Sequence, residues 1–279
     1  MSGCSVDLLK RCGLAICLVA GLAGCAGNVP TQREIAEDNR NSRIEQILRV
    51  ADSTRKGGDL SSAAGLYRRA HDMEPQQAAP LLGLGETLLG MGADEDAAQT
   101  YAQALELAPE NADAHYGLGR AFQNLNRSAD AADQFLLALA LDPKNQKYLN
   151  RLGMSLDTLG DHVGAQQAYI EGLTVAPDDM GLRNNLGLSM LLEGAYGEAA
   201  RQFEELVRNP LSSARHRQNL ALAYGLAGEM EKAARIARHD LGEAEVQHNL
   251  AVYGRLRAMG EDERRQVILG LRDGGTGKP

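Results

Sequence analysis

The chain has 279 residues, of which 44% are hydrophobic and 24% are charged, a balance typical of a globular protein that can bury a sizeable core. Its net charge of −8 and its lack of a basic stripe argue against binding to nucleic acid. All four cysteines lie at or before Cys25, so the sequence after that residue can form neither a disulfide framework nor a cysteine metal site.

The first 24 residues are predicted to be a lipoprotein signal peptide. A positively charged pair at residues 10–11 precedes an apolar run over residues 13–24, which is too short for a typical membrane span. The run leads into four residues that resemble a bacterial lipobox: Leu22, Ala23, Gly24 and Cys25. Small side chains before the cleavage point fit the signal peptidase, and the Cys25 thiol would carry the diacylglyceryl group. The alternative is an ordinary secretory signal or an uncleaved anchor with an incidental cysteine.

Cleavage would leave a lipidated Cys25 followed by Ala26. In lipoproteins of this type, aspartate at the second position favours retention in the inner membrane, so alanine predicts sorting to the outer membrane with the folded part in the periplasm. Three acyl chains, palmitate among them, should anchor the protein stably. Residues 25–43 are polar and contain Pro30, and we interpret them as the lipidated N-terminus and a flexible tether with a helical end. The alternative is a segment that docks on a partner.

From residue 44 to residue 240 the sequence repeats with a period of 34 residues. One series of positions is always alanine: Ala63, Ala97, Ala131, Ala165, Ala199 and Ala233. A second series is small: Ala51, Gly85, Gly119, Gly153, Gly187 and Ala221. A third is aromatic except at its last member: Tyr67, Tyr101, Phe135, Tyr169, Phe203 and Ala237. Small residues allow two helices to approach closely, an aromatic ring fills the groove beside them, and glycine or asparagine at the turn ends the first helix.

This pattern resembles the tetratricopeptide repeat family, and a period of this length is typical of a solenoid. The resemblance implies an all-α fold, a right-handed superhelical solenoid of about six helix pairs. The pairs are predicted to start near Ile44, Ala78, Ala112, Gln146, Met180 and Ala214. Residues 44–240 would form the solenoid, 241–272 one or two helices that cap its end, and 273–279 a disordered tail.

The sequence contains no recognisable catalytic motif: it has no HExxH, no glycine-rich phosphate loop and no GxSxG. Its six histidines lack the i, i+4 spacing of metal ligands, and its turn glycines are explained by the repeat. We therefore expect no enzymatic activity, no metal ion, no cofactor and no small-molecule substrate.

The first helix of each pair lines the concave side in this fold, so its exposed side chains report on a ligand. Phase places twelve residues there: Leu82, Glu86, Leu89, Tyr116, Arg120, Gln123, Asn124, Asn150, Met154, Asn184, Leu188 and Leu191. The same phase adds Asp157, Gln218 and Leu222. Apolar and amide side chains suit an extended or helical peptide, whereas the alternative is that several of them only pack between neighbouring helices. Arg120 and Asn150 alone do not form the clamp with which some tetratricopeptide domains hold a C-terminal carboxylate.

The lipobox, the tether, the repeats and the closing segment Val246–Arg257 (VQHNLAVYGRLR) together resemble the TadD family of lipoproteins from tight-adherence (Flp) pilus systems. The resemblance implies a pilotin-like assembly factor whose partners are the outer-membrane secretin or other pilus subunits. The alternative is a periplasmic lipoprotein scaffold for cell-wall enzymes or for exopolysaccharide export.

Overall fold

The computed structural model of the protein describes residues 31–272. The predicted signal peptide, Cys25 and the tail 273–279 lie outside this range. In the described part the regular elements are fourteen helices, without a strand. They are α1 (Gln32–Lys56), α2 (Leu60–Met73), α3 (Ala79–Met91), α4 (Asp94–Leu107), α5 (Ala112–Asn124), α6 (Ser128–Leu141), α7 (Gln146–Leu159), α8 (His162–Val175), α9 (Met180–Glu193), α10 (Tyr196–Arg208), α11 (Ala214–Ala227), α12 (Met230–Ala237), α13 (Glu243–Ala258) and α14 (Glu261–Arg272).

Helix α1 crosses the boundary between two compact units, which lies between Ile47 and Leu48. The described part of the first unit is the beginning of this helix. Helix α1 begins at Gln32, ahead of the predicted start of the first repeat near Ile44, so the last part of the tether is helical. Residues 32–43 contain neither glycine nor proline and are rich in good helix formers, which explains the early start.

From α2 to α12 each helix packs against the helix that follows it, which confirms the predicted succession of helix pairs. The turns inside the pairs also follow the prediction. Gly92 ends α3 with φ of 73°, and Asn126 follows α5 with φ of 58°. This left-handed conformation is easily adopted by glycine and tolerated by asparagine, so the chain can reverse after each first helix.

Close contact between a glycine of the first helix and an aromatic ring of the second holds the middle pairs together. A Cβ atom on Gly119 would lie 2.6 Å from Phe135, and one on Gly187 would lie 2.7 Å from Phe203. Both rings are fully buried. The ring therefore packs directly on the glycine backbone. Residues in the second series are small because the aromatic rings of the third series occupy the space beside them.

Two helices follow the last pair. Helix α13 packs against α11 and α12, and α14 reaches back to α9. Arg265 Nε donates to the carbonyl oxygen of Leu192 at 3.1 Å, and Ile268 is buried in the same core cluster as Phe203. The end of the chain thus covers the last repeats, as the sequence predicts.

Among residues 31–272, none of the helices combines the length and the apolar character required to span a bilayer.

Candidate protein-binding groove

The first helices of successive pairs form one continuous row. Helix α3 contacts α5, α5 contacts α7, α7 contacts α9 and α9 contacts α11, in addition to the contacts that each makes with its second helix. The predicted groove residues all lie on this row. Clefts open along this row.

The N-terminal cleft lies between α3, α5 and α7 and has a volume of about 470 Å³, which is within the usual range of ligand pockets. Its lining contains four of the predicted groove residues: Leu82, Glu86, Tyr116 and Arg120. The other lining residues are Tyr101, Asp113, Gly117, Lys147 and Arg151.

Charges of both signs meet in the N-terminal cleft. The guanidinium of Arg120 donates to Glu86 and lies 5.7 Å from the centroid of the Tyr116 ring. This pair neutralises itself, while the ammonium of Lys147 is exposed at the rim. Burial raises the pKa of Tyr101, helped by the negative charge of Glu86, so its hydroxyl stays protonated at neutral pH. The exposed edge of the cleft therefore carries charges of both signs, from Asp113 and Lys147, beside the neutral hydroxyl of Tyr101.

An aromatic cluster forms one wall of this cleft. The Tyr116 ring lies 4.9 Å from that of Tyr148 and 5.9 Å from that of Phe135, measured between centroids. Tyr148 donates its hydroxyl to Asp113 Oδ1 at 2.8 Å, and burial together with this bond raises its pKa. Tyr116 is half-buried, so part of its ring remains available for an apolar or cationic side chain of a partner.

Three predicted amide side chains link repeats to one another. Gln123 Nε2 donates to Ser155 Oγ at 2.9 Å, which joins α5 to α7. Asn124 Nδ2 donates to Asp94 Oδ1 at 2.7 Å, and Asn150 Oδ1 accepts from Asn185 Nδ2 at 2.8 Å. These three residues therefore connect neighbouring helices, as the alternative interpretation expects. A side-chain amide that is already bonded keeps only some of its donors and acceptors for a ligand.

The middle cleft lies between α7, α9 and α11 and has a volume of about 270 Å³. It brings together the predicted residues Met154, Asn184 and Leu188. The remaining lining residues are Gly181, Asn185, Arg215 and His216. Asn219 Nδ2 donates to Asn184 Oδ1 at 2.8 Å, which repeats the asparagine pair of the preceding repeat. Burial and the two neighbouring arginines lower the pKa of His216, so this imidazole is neutral at physiological pH.

Two of the predicted groove leucines are instead buried in the core. Leu89 is 8% exposed and Leu191 is 1% exposed. Each lies in the last turn of a first helix, close to the turn from which the second helix folds back. Leu191 accordingly belongs to the cluster that contains Ala199 and Phe203 of α10. Leu188 is also mostly buried and contributes only the floor of the middle cleft.

Asp157, in the last turn of α7, is likewise buried and was wrongly placed in the groove. Its Oδ1 accepts from Ser189 Oγ at 2.6 Å and lies 3.0 Å from His162 Nδ1, and its Oδ2 accepts from the Tyr169 hydroxyl at 3.0 Å. A buried carboxylate needs such partners. This network joins α7, α8 and α9 and thus ties the fourth pair to the fifth.

Sequence reasoning missed the largest of these clefts. The C-terminal cleft lies between α11 and α13 and has a volume of about 630 Å³. Only two of its residues, Gln218 and Leu222, were predicted to line the groove. The full lining is Arg215, Gln218, Asn219, Leu222, Leu241, Ala244, Glu245, His248, Asn249, Val252, Tyr253 and Leu256.

One signal could have indicated this cleft. Gly225 of α11 occupies the register held in earlier repeats by Leu89, Gln123, Asp157 and Leu191. A Cβ atom on Gly225 would lie 2.4 Å from the Tyr253 ring. The glycine breaks the pattern because the α13 ring takes the space that a side chain fills in the other repeats.

In the described range, residues 31–272, no three His, Cys, Asp or Glu side chains are grouped so that they could hold a metal ion.

The comparisons with known proteins agree with this architecture. A family model described as "Tetratricopeptide repeat" matches residues 48–110, 82–146 and 150–209, which together make up more than half of the chain. A comparison with curated protein sequences gives no match.

Several solved structures are similar to the chain. A MamA protein is 25% identical with a TM-score of 0.54, over 59% of this chain and 90% of that one. PilF from Pseudomonas aeruginosa is 17% identical with a TM-score of 0.64, over 76% of this chain and 99% of that one. YrrB, described as a TPR protein with an unusual peptide-binding site, is 24% identical with a TM-score of 0.56, over 68% of this chain and 97% of that one. The likenesses to PilF and YrrB concern the fold alone.

A row of contacting first helices with clefts along it defines a helical-repeat scaffold for protein interaction. The match of the family model then makes the assignment specific: the chain belongs to the tetratricopeptide repeat family. Proteins of this family are generally non-enzymatic and bind protein partners.

Proposed function

We propose that the protein is a lipoprotein of the outer membrane that holds a segment of a pilus subunit in its groove and assists assembly of a tight-adherence (Flp) pilus apparatus, with the secretin as its partner. The observation that carries the proposal is the row of first helices, whose clefts combine aromatic, aliphatic and amide side chains. Such a lining suits a peptide, because apolar side chains need pockets and the peptide backbone needs hydrogen-bonding groups.

The lipobox and the closing segment Val246–Arg257 support the location and the pilus connection through their resemblance to the TadD family. A lipid on Cys25 would hold the repeats at the periplasmic face of the outer membrane, where secretin rings form. Binding alone is sufficient for this role, since no bond has to be made or broken. The solved peptide-binding site reported for YrrB supports a peptide ligand for a fold of this kind.

The lipid anchor is tested by replacing Cys25 with serine and labelling growing cells with radioactive palmitate. The proposal expects label on the natural protein only, and a shift of Cys25→Ser from the outer membrane to another fraction. Equal labelling of the two proteins, or an unchanged outer-membrane fraction for the variant, would contradict it.

The partner is tested by crosslinking the tagged protein in its native envelope and identifying the captured proteins by mass spectrometry. The groove variant carries Tyr116→Ala with Lys147→Glu, and the matched control carries Val163→Ala with Gln167→Ala on the exposed side of α8. The thermal midpoints of both should first be compared with the natural protein, because Tyr116 packs against Tyr148.

We expect a secretin or another pilus subunit to be captured by the natural protein and by the control, and to be lost with the groove variant. Retention by the groove variant would place the interaction on another surface. Capture of cell-wall enzymes or of polysaccharide exporters instead would favour the alternative scaffold role and end the pilus assignment.

A further inference from the structure

The C-terminal cleft continues the groove of the first helices onto the capping helix. Arg215 lines both the middle cleft and the C-terminal cleft, so the two are adjacent. Helix α13 therefore does more than cover the apolar end of the last repeat, since it forms the second wall of a cleft that the repeats alone would lack.

The floor of the cleft is apolar and its rim is polar. Leu222 and Leu256 are almost fully buried, and Val252 is half-buried. Among the rim residues Arg215 and Glu245 carry opposite charges, so no net charge favours an acidic or a basic ligand. An occupant would gain most by burying an uncharged, apolar side chain on this floor.

Several polar groups on the rim and the wall have no partner in the described part of the protein. The side-chain amides of Gln218 and Asn249 make no hydrogen bond there. The side-chain nitrogen of Asn219 donates to Asn184, and its side-chain carbonyl oxygen accepts no hydrogen bond from the described residues. The Tyr253 ring is 7% exposed, and burial alone raises the pKa of its hydroxyl to about 12, with no hydrogen bond contributing. The hydroxyl is therefore a protonated donor at the cleft.

Paired donors and acceptors of this kind suit an extended backbone better than a helix. A helical ligand bonds its own backbone groups to one another, so it would offer no backbone partner to the side-chain amides of Asn219 and Asn249. Those amides would stay bonded to water. An extended segment presents free N–H and C=O groups that these amides and the Tyr253 hydroxyl can bond, while alternate side chains point to the apolar floor.

We propose that the cleft between α11 and α13 is a second binding site of the groove, which takes an uncharged, extended segment of a partner protein, with an apolar side chain on Leu222 and Val252 and its backbone bonded to Asn219, Asn249 and Tyr253. The inference rests on the protein-binding role proposed above but not on the pilus assignment. A site of about 630 Å³ has room for a few residues of such a segment.

The test uses the full-length lipoprotein in detergent and a library of octapeptides with blocked termini and a photoreactive leucine analogue at the fourth position. In one library the other positions are randomised among uncharged residues, and in the second they include aspartate and glutamate. Mass spectrometry locates the crosslinks after illumination. We expect the uncharged library to label α11 or α13 at the cleft, and the acidic library to label it less.

Two variants examine the polar contacts without removing the packing. Asn249→Ala and Tyr253→Phe should each lower labelling of the cleft about fivefold, which corresponds to one hydrogen bond. Arg255→Ala, on an exposed position of the same helix, should leave it unchanged. The proposal is overturned if the uncharged library does not label the cleft, if the acidic library labels it equally, if both variants label normally, or if free palmitate displaces the label.

These outcomes are distinct from those of the partner test. Capture that depends on Tyr116 and Lys147 can persist when the C-terminal cleft stays unlabelled, and then only the inference about this cleft fails. Specific labelling of the cleft without capture of a pilus subunit would leave the site standing and remove the pilus assignment.

Discussion

Replacing Gly119 with alanine should destabilise the protein, although alanine is the better helix former. The new Cβ would lie 2.6 Å from a carbon of Phe135, closer than real contacts allow. The Phe135 ring is fully buried and cannot swing into solvent. Overpacking of this kind costs about 1–3 kcal/mol, while the helix gains about 0.5–1 kcal/mol from losing a glycine. We therefore expect a net loss of roughly 1 kcal/mol in the free energy of unfolding, within bounds of about 0 and 2.5 kcal/mol.

The matched control is Gly65→Ala. Gly65 lies within α2, is exposed, and has open space around its Cβ position. The same chemical change should raise stability there by about 0.5–1 kcal/mol, since only the helix preference changes. Urea titrations followed by far-UV circular dichroism measure both effects, and the slope of each transition must be compared because repeat arrays can lose two-state behaviour.

A third protein separates ring contact from other causes. Phe135→Leu in the Gly119→Ala background removes the clashing ring atoms, so the two changes together should cost less than the sum of their separate effects. The reasoning is refuted if Gly119→Ala stabilises the protein as much as Gly65→Ala does, or if the double mutant shows no coupling.

Three other changes report on interactions in the later repeats. Asp157→Ala should lower the free energy of unfolding by about 3 kcal/mol, because Ser189 and its neighbours would be left as buried groups without their acceptor; a loss below about 1 kcal/mol, typical of an exposed site, would argue against the network. The Arg238 guanidinium holds the pKa of Glu243 at about 2, below its ordinary 4.5, so the stabilisation exists above pH 4.5 and disappears as the pH falls toward 2. Glu243→Gln should remove the fall of the thermal midpoint that this pair causes between pH 4.5 and 2. A thermal midpoint with the same dependence on pH as in the natural protein would contradict this. Arg264→Ala removes donors to the carbonyl oxygens at the end of α13. Amide hydrogen exchange should then be faster than in the natural protein in α14 and unchanged in α4. An exchange rate in α14 equal to that of the natural protein would contradict this.

The repeat could be predicted from the sequence because its determinants are local. The turn at Gly92 acts inside the pair α3–α4, and the ring of Phe135 packs on Gly119 inside the pair α5–α6. Each feature recurs at the same phase in the next pair. At the N-terminus, α1 extends from Gln32 through the last residues of the tether, because no break in helix-forming residues separates the tether from the first repeat.

The candidate groove could be predicted only in part, since helical phase gives the direction of a side chain but not what covers it. Leu82 and Tyr116 line a cleft, whereas Leu191, at the later first-helix register of Leu89, is covered by α10. Helical phase also cannot show that the side-chain amide of Gln123 donates a hydrogen bond to Ser155. Gln123 and Ser155 are 32 residues apart in sequence, and only the spacing of packed helices brings them together.

The sequence by itself determined the class of fold, the register of the pairs and the expectation of a lipid at Cys25, because each depends on a short motif or on a fixed period. The tertiary structure decided which first-helix side chains remain accessible, that Asp157 is a buried tie between repeats, and that α13 forms a cleft with α11. Burial and cleft shape arise from how neighbouring helices are spaced and capped. The repeat pattern shows that Gly225 departs from its register, but only the structure shows that the Tyr253 ring of the capping helix takes the space.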